Sequence, residues 1–157
     1  MTSMTTDKQL YDLANMVGLR LEPIVFKDEL SLLPKPIEKR NYNYIINMSN
    51  SSSQGSHWVA LFVDAKRGIS YFFNSFADEF DSIPDEITQF TKRIGSILCK
   101  NTKPIQNPSR GYCGQYCMLF LIKLNRPTDD IYDYNHFLKM FKNTMNSIDK
   151  YKEKHNL

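Results

Sequence analysis

Cysteine is scarce in this sequence, with three in 157 residues. The number is odd and too small for a disulfide framework, which points to a reducing compartment. Histidine is equally scarce: His57, His136 and His155 are the whole supply of imidazole. Neither sign of charge dominates. Twenty basic and 17 acidic residues leave a net charge of +3, spread along the chain, so nucleic acid is a permitted partner but not an indicated one. No apolar run approaches membrane-spanning length, and Met1 to Gln9 is too polar for a signal peptide. The expectation is a soluble intracellular protein, of host cytoplasm or viral factory, without a membrane anchor. No internal repeat interrupts the chain, and the one biased stretch, Ser49 to Ser56, is too short to separate domains. With 41% hydrophobic residues, 1–157 reads as a single domain with a substantial core, expected to be monomeric.

Thr5-Thr6-Asp7 precedes Leu10, Leu13, Ala14 and Val17, the signature of a capped amphipathic helix ending at Gly18. Prolines 23, 34 and 36 make Leu19 to Lys39 a loop with short elements. Asn41 to Met48 reads as a strand. Trp58 to Val63 and Ile69 to Phe73 are two more, forming an antiparallel hairpin around Asp64 to Gly68. Pairing Val63 with Ile69 sets Trp58 opposite Asn74 and brings His57 near Asn74. Pro84-Asp85-Glu86 opens a helix expected to run to about Cys99, with Ile87, Phe90, Ile94, Ile97 and Leu98 inward. Lys103 to Gln106 reads as a short extended piece, and Ile131 to about Lys150 as a C-terminal helix.

The chain is organised around Cys113. A loop punctuated by Pro108 and Gly111 gives way there to an apolar stretch reaching Leu124 with no clear polar face, a helix buried on most sides. A thiol at such a helix start feels the positive end of the macrodipole, which favours the thiolate that attacks carbon. Cys113 is therefore a nucleophile candidate.

A thiol nucleophile needs a base that later returns its proton to the leaving amine, and imidazole suits both tasks. His155 lies in a polar tail and His136 inside a helix, where a surface or packing role is the simpler account. His57 stands at the mouth of a buried strand. A histidine there is more often structural than catalytic, but Asn74 across the hairpin supplies an amide to orient its Nδ1, a Cys-His-Asn arrangement. Cys113 and Cys117 lie four apart on one helical face, yet the other metal-ligand types are scattered, so a zinc site is set aside. Cys117 reads as a small buried residue, and Cys99 as helix-end packing or an exposed thiol.

Gly55-Ser56-His57-Trp58-Val59-Ala60-Leu61-Phe62, then Tyr71-Phe72-Phe73-Asn74-Ser75-Phe76, then Gln106 before Cys113-Gly114 and Cys117-Met118-Leu119-Phe120-Leu121 form a pattern that resembles the adenain-like cysteine proteases. These are the adenovirus maturation protease and its relatives among SUMO- and ubiquitin-like-protein-specific proteases and the maturation proteases of large DNA viruses and virophages. The similarity covers Ile45 to about Leu124. It implies an α+β, papain-related fold with a central mixed sheet flanked by helices. It further implies Cys113 as nucleophile, His57 as general base and acid, Asn74 as third member and Gln106 as an oxyanion donor. A side-chain amide beside the Cys113 N–H supplies the two donors that a tetrahedral oxyanion needs. Many relatives carry Asp or Glu at the position of Asn74; Asp78 and Glu79 lie nearby as substitutes.

The function so implied is a cysteine endopeptidase working through an acyl-enzyme, virus-encoded, cutting capsid or core precursors at Gly-containing sites and packaged in the virion. The alternatives are a SUMO or ubiquitin-like-protein isopeptidase, or an inactive binding module of the same fold. No cofactor is required on this reading, with an activating peptide or DNA as the family's variation.

Overall fold

A computed structural model describes residues 6–49, 57–76, 83–101 and 113–125, together with Asn143, Lys150 and 153–155. Helix α1 (Asp7–Val17) begins at a reciprocal cap. The Gln9 N–H donates to Thr6 Oγ1 (3.2 Å) and the Thr6 N–H donates to Gln9 Oε1 (2.8 Å). It ends where Gly18 turns left-handed at φ 71°. Both boundaries match the sequence reading. The proline-bearing stretch that follows holds the two-residue strand β1 (Val25–Phe26) and a 3-10 turn (Lys27–Leu32).

Strands β2 (Asn41–Asn47), β3 (Trp58–Asp64), β4 (Ile69–Phe73) and β5 (Ile97–Lys100) join β1 in one sheet of order β1-β2-β3-β4-β5. The two inner pairings, β2 with β3 and β3 with β4, are antiparallel, and the two outer ones are parallel. The fold is thus α+β around a mixed sheet with helices on both sides.

Alternation along β3 explains why its sequence is apolar throughout. Trp58, Ala60 and Phe62 face one core with Leu10 and Ala14 of α1 and the buried side of α3 (Cys113–Leu124). Val59, Leu61 and Val63 face a second core with Leu30 of the 3-10 turn and Ile87 and Phe90 of α2 (Asp85–Arg93). A strand covered on both faces has no polar side to present. Phe73 of β4 and Phe120 of α3, both fully buried, stack with ring centroids 4.4 Å apart and fasten α3 to the sheet. Burial of each such ring stabilises by about 1.5 to 3 kcal/mol.

Two expectations are corrected. The hairpin pairs Asp64 with Ile69, one residue away from the expected register, because its loop is four residues (Ala65 to Gly68) closed by Gly68 at φ 70°. Continued beyond the strands, this register sets His57 opposite Phe76 and leaves Asn74 diagonal to His57 on the same side of the ribbon. The expected register would have put the two on opposite sides. The helix from Asp85 stops at Arg93, far short of Cys99. Gly95 at φ 72° ends it, and Ile97 to Lys100 pairs in parallel with β4 as an edge strand, with Ile97 70% exposed. The serine loop from Asn50, the extended piece at Lys103 to Gln106 and most of the C-terminal helix lie outside the described residues; of that helix Asn143 and Lys150 are described, and both are helical.

Candidate active site

The sequence places a cysteine where a buried helix begins, and the structure shows what that position does to the sulfur. Cys113 is the first residue of α3 and is buried, 4% exposed. Its Sγ accepts a hydrogen bond from the Trp58 N–H at 3.5 Å, so the start of α3 is seated on the start of β3, one residue from His57. The backbone N–H groups of Cys113 and Gly114, next to the sulfur at the helix start, act to lower the pKa of the thiol. These are amides that a helix start leaves without partners.

His57 is held from the other side of the hairpin. Its Nε2 lies 2.7 Å from Asn74 Oδ1, and the same oxygen accepts the Phe76 N–H at 3.0 Å. A backbone N–H can only donate, so the atom facing it must be the amide oxygen, and the imidazole nitrogen facing that oxygen must carry its proton. The neutral ring is therefore protonated at Nε2 and bare at Nδ1. Nδ1 is buried with no hydrogen-bond partner among the described residues, the Cys113 sulfur included. This reverses the expectation that Asn74 would orient Nδ1. The pairing of the two residues stands, and the nitrogen differs.

Two residues that the sequence reading passed over hold this arrangement. The Phe76 ring lies over the imidazole, centroids 4.8 Å apart and planes tilted by 32°. Asn101, just after β5, is 2% exposed and pairs with the Asn74 backbone in both directions. Its Oδ1 accepts the Asn74 N–H (2.9 Å) and its Nδ2–H donates to the Asn74 carbonyl (2.7 Å). Phe76 stood in the motif string without a role. Asn101 carried no signal, since its partner is 27 residues away and β5 was read as helix.

A profile of the adenovirus endoprotease family matches residues 34–156, well over half of the chain. The chain belongs to the adenovirus endoprotease family. The protease of Porcine adenovirus A serotype 3 is 29% identical over 103 residues, which cover 58% of this chain and 50% of the relative. That of Fowl adenovirus A serotype 1 is 26% identical over 136 residues, covering 79% and 65%. The chain thus spans half to two thirds of the length of these relatives. The crystal structure of the selenomethionine ASFV pS273R protease is similar over 66% of this chain and 42% of its own, at 24% identity and a TM-score of 0.42.

Burial disfavours the charged form of both Cys113 and His57. Burial pushes the Cys113 thiol above its ordinary value, outweighing the downward pull of the Trp58, Gly114 and Cys113 N–H groups. Burial likewise holds His57 below its ordinary value, against the upward effect of the hydrogen bond to Asn74. The sequence had suggested a standing thiolate. The helix-start amides act in that direction, but desolvation is the larger effect here. Asn74 adds no negative charge to favour an imidazolium. In this arrangement Nδ1 is the ring nitrogen free to accept a proton, and the Nε2–H bond to Asn74 Oδ1 holds the ring in place.

Cys117, one turn along α3, is fully buried, and desolvation followed by the nearby Cys113 pushes its thiol well above the ordinary value. That fits the packing role read from sequence. Cys99 sits in β5 opposite Tyr71, half-buried, and not at a helix end. Among the described residues no group of three or more His, Cys, Asp or Glu is placed to hold a metal. Gln106, Asp78, Glu79 and His136 lie outside the described residues.

Proposed function

We propose that this chain is a virus-encoded cysteine endopeptidase that cleaves precursor proteins through an acyl-enzyme on Cys113. The observation that carries the reading is the orientation of His57. Asn74 Oδ1, 2.7 Å away, holds Nε2, and the buried Nδ1 is unspent on a ring adjoining Trp58, whose N–H meets Cys113 Sγ. A structural histidine has no reason to leave a buried nitrogen unpaired, because such an atom costs about 1 to 3 kcal/mol.

The chemistry follows from these positions. Sγ attacks the scissile carbonyl carbon while Nδ1 takes the thiol proton, and the carbonyl electrons move onto oxygen. The Cys113 N–H and, by family resemblance, the side chain of Gln106 donate to that oxygen. Collapse of the tetrahedral species expels the amine, which takes the proton from Nδ1, and leaves a thioester. Water, deprotonated by the same nitrogen, releases the acid and restores the thiol. The substrates that fit the family are capsid or core precursors cut at Gly-Gly or Gly-X-Gly sequences inside the infected cell or the virion.

A mixture of peptides with internal Gly-Gly, Gly-X-Gly and glycine-free sequences, together with fluorogenic amides of ubiquitin and of a SUMO protein, tests this reading. Cleavage products are read by mass spectrometry with the wild-type chain and with Cys113→Ala. Cleavage of the glycine-containing peptides by wild type and not by the variant is the expected result. Turnover of the ubiquitin or SUMO amides alone would assign the chain to isopeptidase work, and no turnover by folded protein would make it a binding module.

A further inference from the structure

We propose that Asn101 is the positioning residue of this site: by pairing its side-chain amide with the backbone of Asn74, it sets the place from which Asn74 Oδ1 holds the imidazole. Beside β4 the parallel ladder of β5 runs to Phe72 and Lys100 and then stops. At the next step Asn74 lies just past the end of β4 and Asn101 just past the end of β5. There the Asn101 side chain takes over from the main chain. Its carboxamide has the same donor and acceptor as a peptide group, and it uses both on one residue, at 2.9 and 2.7 Å. Two such bonds restrain Asn74 in translation and in rotation, which one bond would not.

The restraint matters because Asn74 Oδ1 has two further bonds to satisfy. It accepts from the Phe76 N–H at 3.0 Å and from His57 Nε2–H at 2.7 Å, and both distances depend on where the Asn74 backbone stands. Asn101 is 2% exposed, so bulk water does not compete for either of its contacts. Both of its bonds go to the Asn74 backbone and neither to the ring or the sulfur. Its action runs through Asn74, from backbone to side-chain oxygen to the tautomer of His57. No other residue type does this at equal length: aspartate keeps the acceptor and loses the donor, and leucine keeps neither.

The idea rests on the catalytic reading of His57 and Asn74, and its test keeps the two apart. The 15N shifts of the His57 ring in the full chain report which nitrogen carries the proton, with no substrate present. Wild type is expected to show the neutral ring protonated at Nε2. Asn101→Ala is expected to show a mixture with the Nδ1–H form, and on a cleaved Gly-Gly peptide a fall in kcat of about 10- to 100-fold, the scale of a misplacement near 1 Å, with KM within about twofold. Ile46→Val, a core change in β2, serves as the comparison for general destabilisation and should move neither. Asn101→Asp, which keeps the acceptor for the Asn74 N–H, carries the test if Asn101→Ala does not fold and should show the same mixture to a lesser degree. Should neither variant fold, slow exchange of the wild-type Asn74 N–H supports the proposal and fast exchange overturns it. A folded Asn101 variant with the wild-type tautomer and kcat overturns it, as does an equal change in Ile46→Val. If wild type cleaves nothing, the functional reading fails while the tautomer still decides the role of Asn101.

Discussion

The side-chain oxygen of Asn74 serves two donors at once, His57 Nε2–H and the Phe76 N–H. Asn74→Asp keeps an oxygen for both and adds a negative charge beside the ring. It should leave peptide cleavage within about tenfold of wild type, or about 1.4 kcal/mol of barrier, and move the acid limb of the pH profile upward as the imidazolium is stabilised. Asn74→Ala leaves both donors without their oxygen and should cost about 1 to 3 kcal/mol in activity. Steady-state kinetics of the two variants across pH checks both statements, and equal losses would mean that Asn74 does not act on the ring. At the sulfur, Cys113→Ala should abolish cleavage and Cys117→Ala should keep it, because the second thiol is buried without access to solvent. Both variants should stay folded, since alanine suits a helix.

At the scale of elements, the features legible in the sequence were those with local causes. Helix α1 was bounded correctly because Thr6, Gln9 and Gly18 form their caps within the segment itself. Strands β3 and β4 and helix α3 were placed by continuous apolar runs, since an element buried on both faces shows itself by lacking a polar side. Strand β5 was missed for the opposite reason. Ile94, Ile97 and Leu98 repeat at helical spacing, and the strand exists through parallel pairing with β4, a partner distant in sequence. Gly95 was the local sign of the true boundary. Its φ of 72° is a left-handed conformation, and an added Cβ would meet nothing within 4 Å. Gly95→Ala should therefore destabilise by backbone strain alone, about 1 to 2 kcal/mol, and leave cleavage unchanged, because α2 lies across the sheet from α3. Thermal melts and the peptide assay together check this, and a loss of activity without loss of stability would contradict it. Of the proposed catalytic group, Cys113, His57 and Asn74 were legible as candidates by type and spacing. The ring nitrogen that Asn74 holds was not, because it depends on the rotation of the His57 side chain, which residue types and spacings do not encode.

For the whole molecule, three groups shifted by burial, His57, Cys113 and Cys117, set a pH window of stability. His57 is held below its ordinary 6.5 by burial, so below about pH 6.5 the unfolded chain binds a proton that the folded chain refuses, and stability falls as pH drops toward the folded value. Cys113 and Cys117 are raised above their ordinary 9.0, so above about pH 9 the unfolded chain releases protons that the folded chain retains, and stability falls again. Melting temperatures should be highest between these limits, and His57→Gln should flatten the acid side. An unchanged acid side in that variant would contradict the burial of a neutral ring. The central claim, that Cys113 is a nucleophile served by His57, is tested most directly by trapping it. A peptide ending in Gly-Gly vinyl sulfone, read by intact-protein mass spectrometry and peptide mapping, should give one adduct on Cys113, absent in Cys113→Ala and formed about 10² or more times slower in His57→Ala. An adduct on Cys99 or Cys117, an undiminished rate without His57, or no adduct on folded protein would contradict the account.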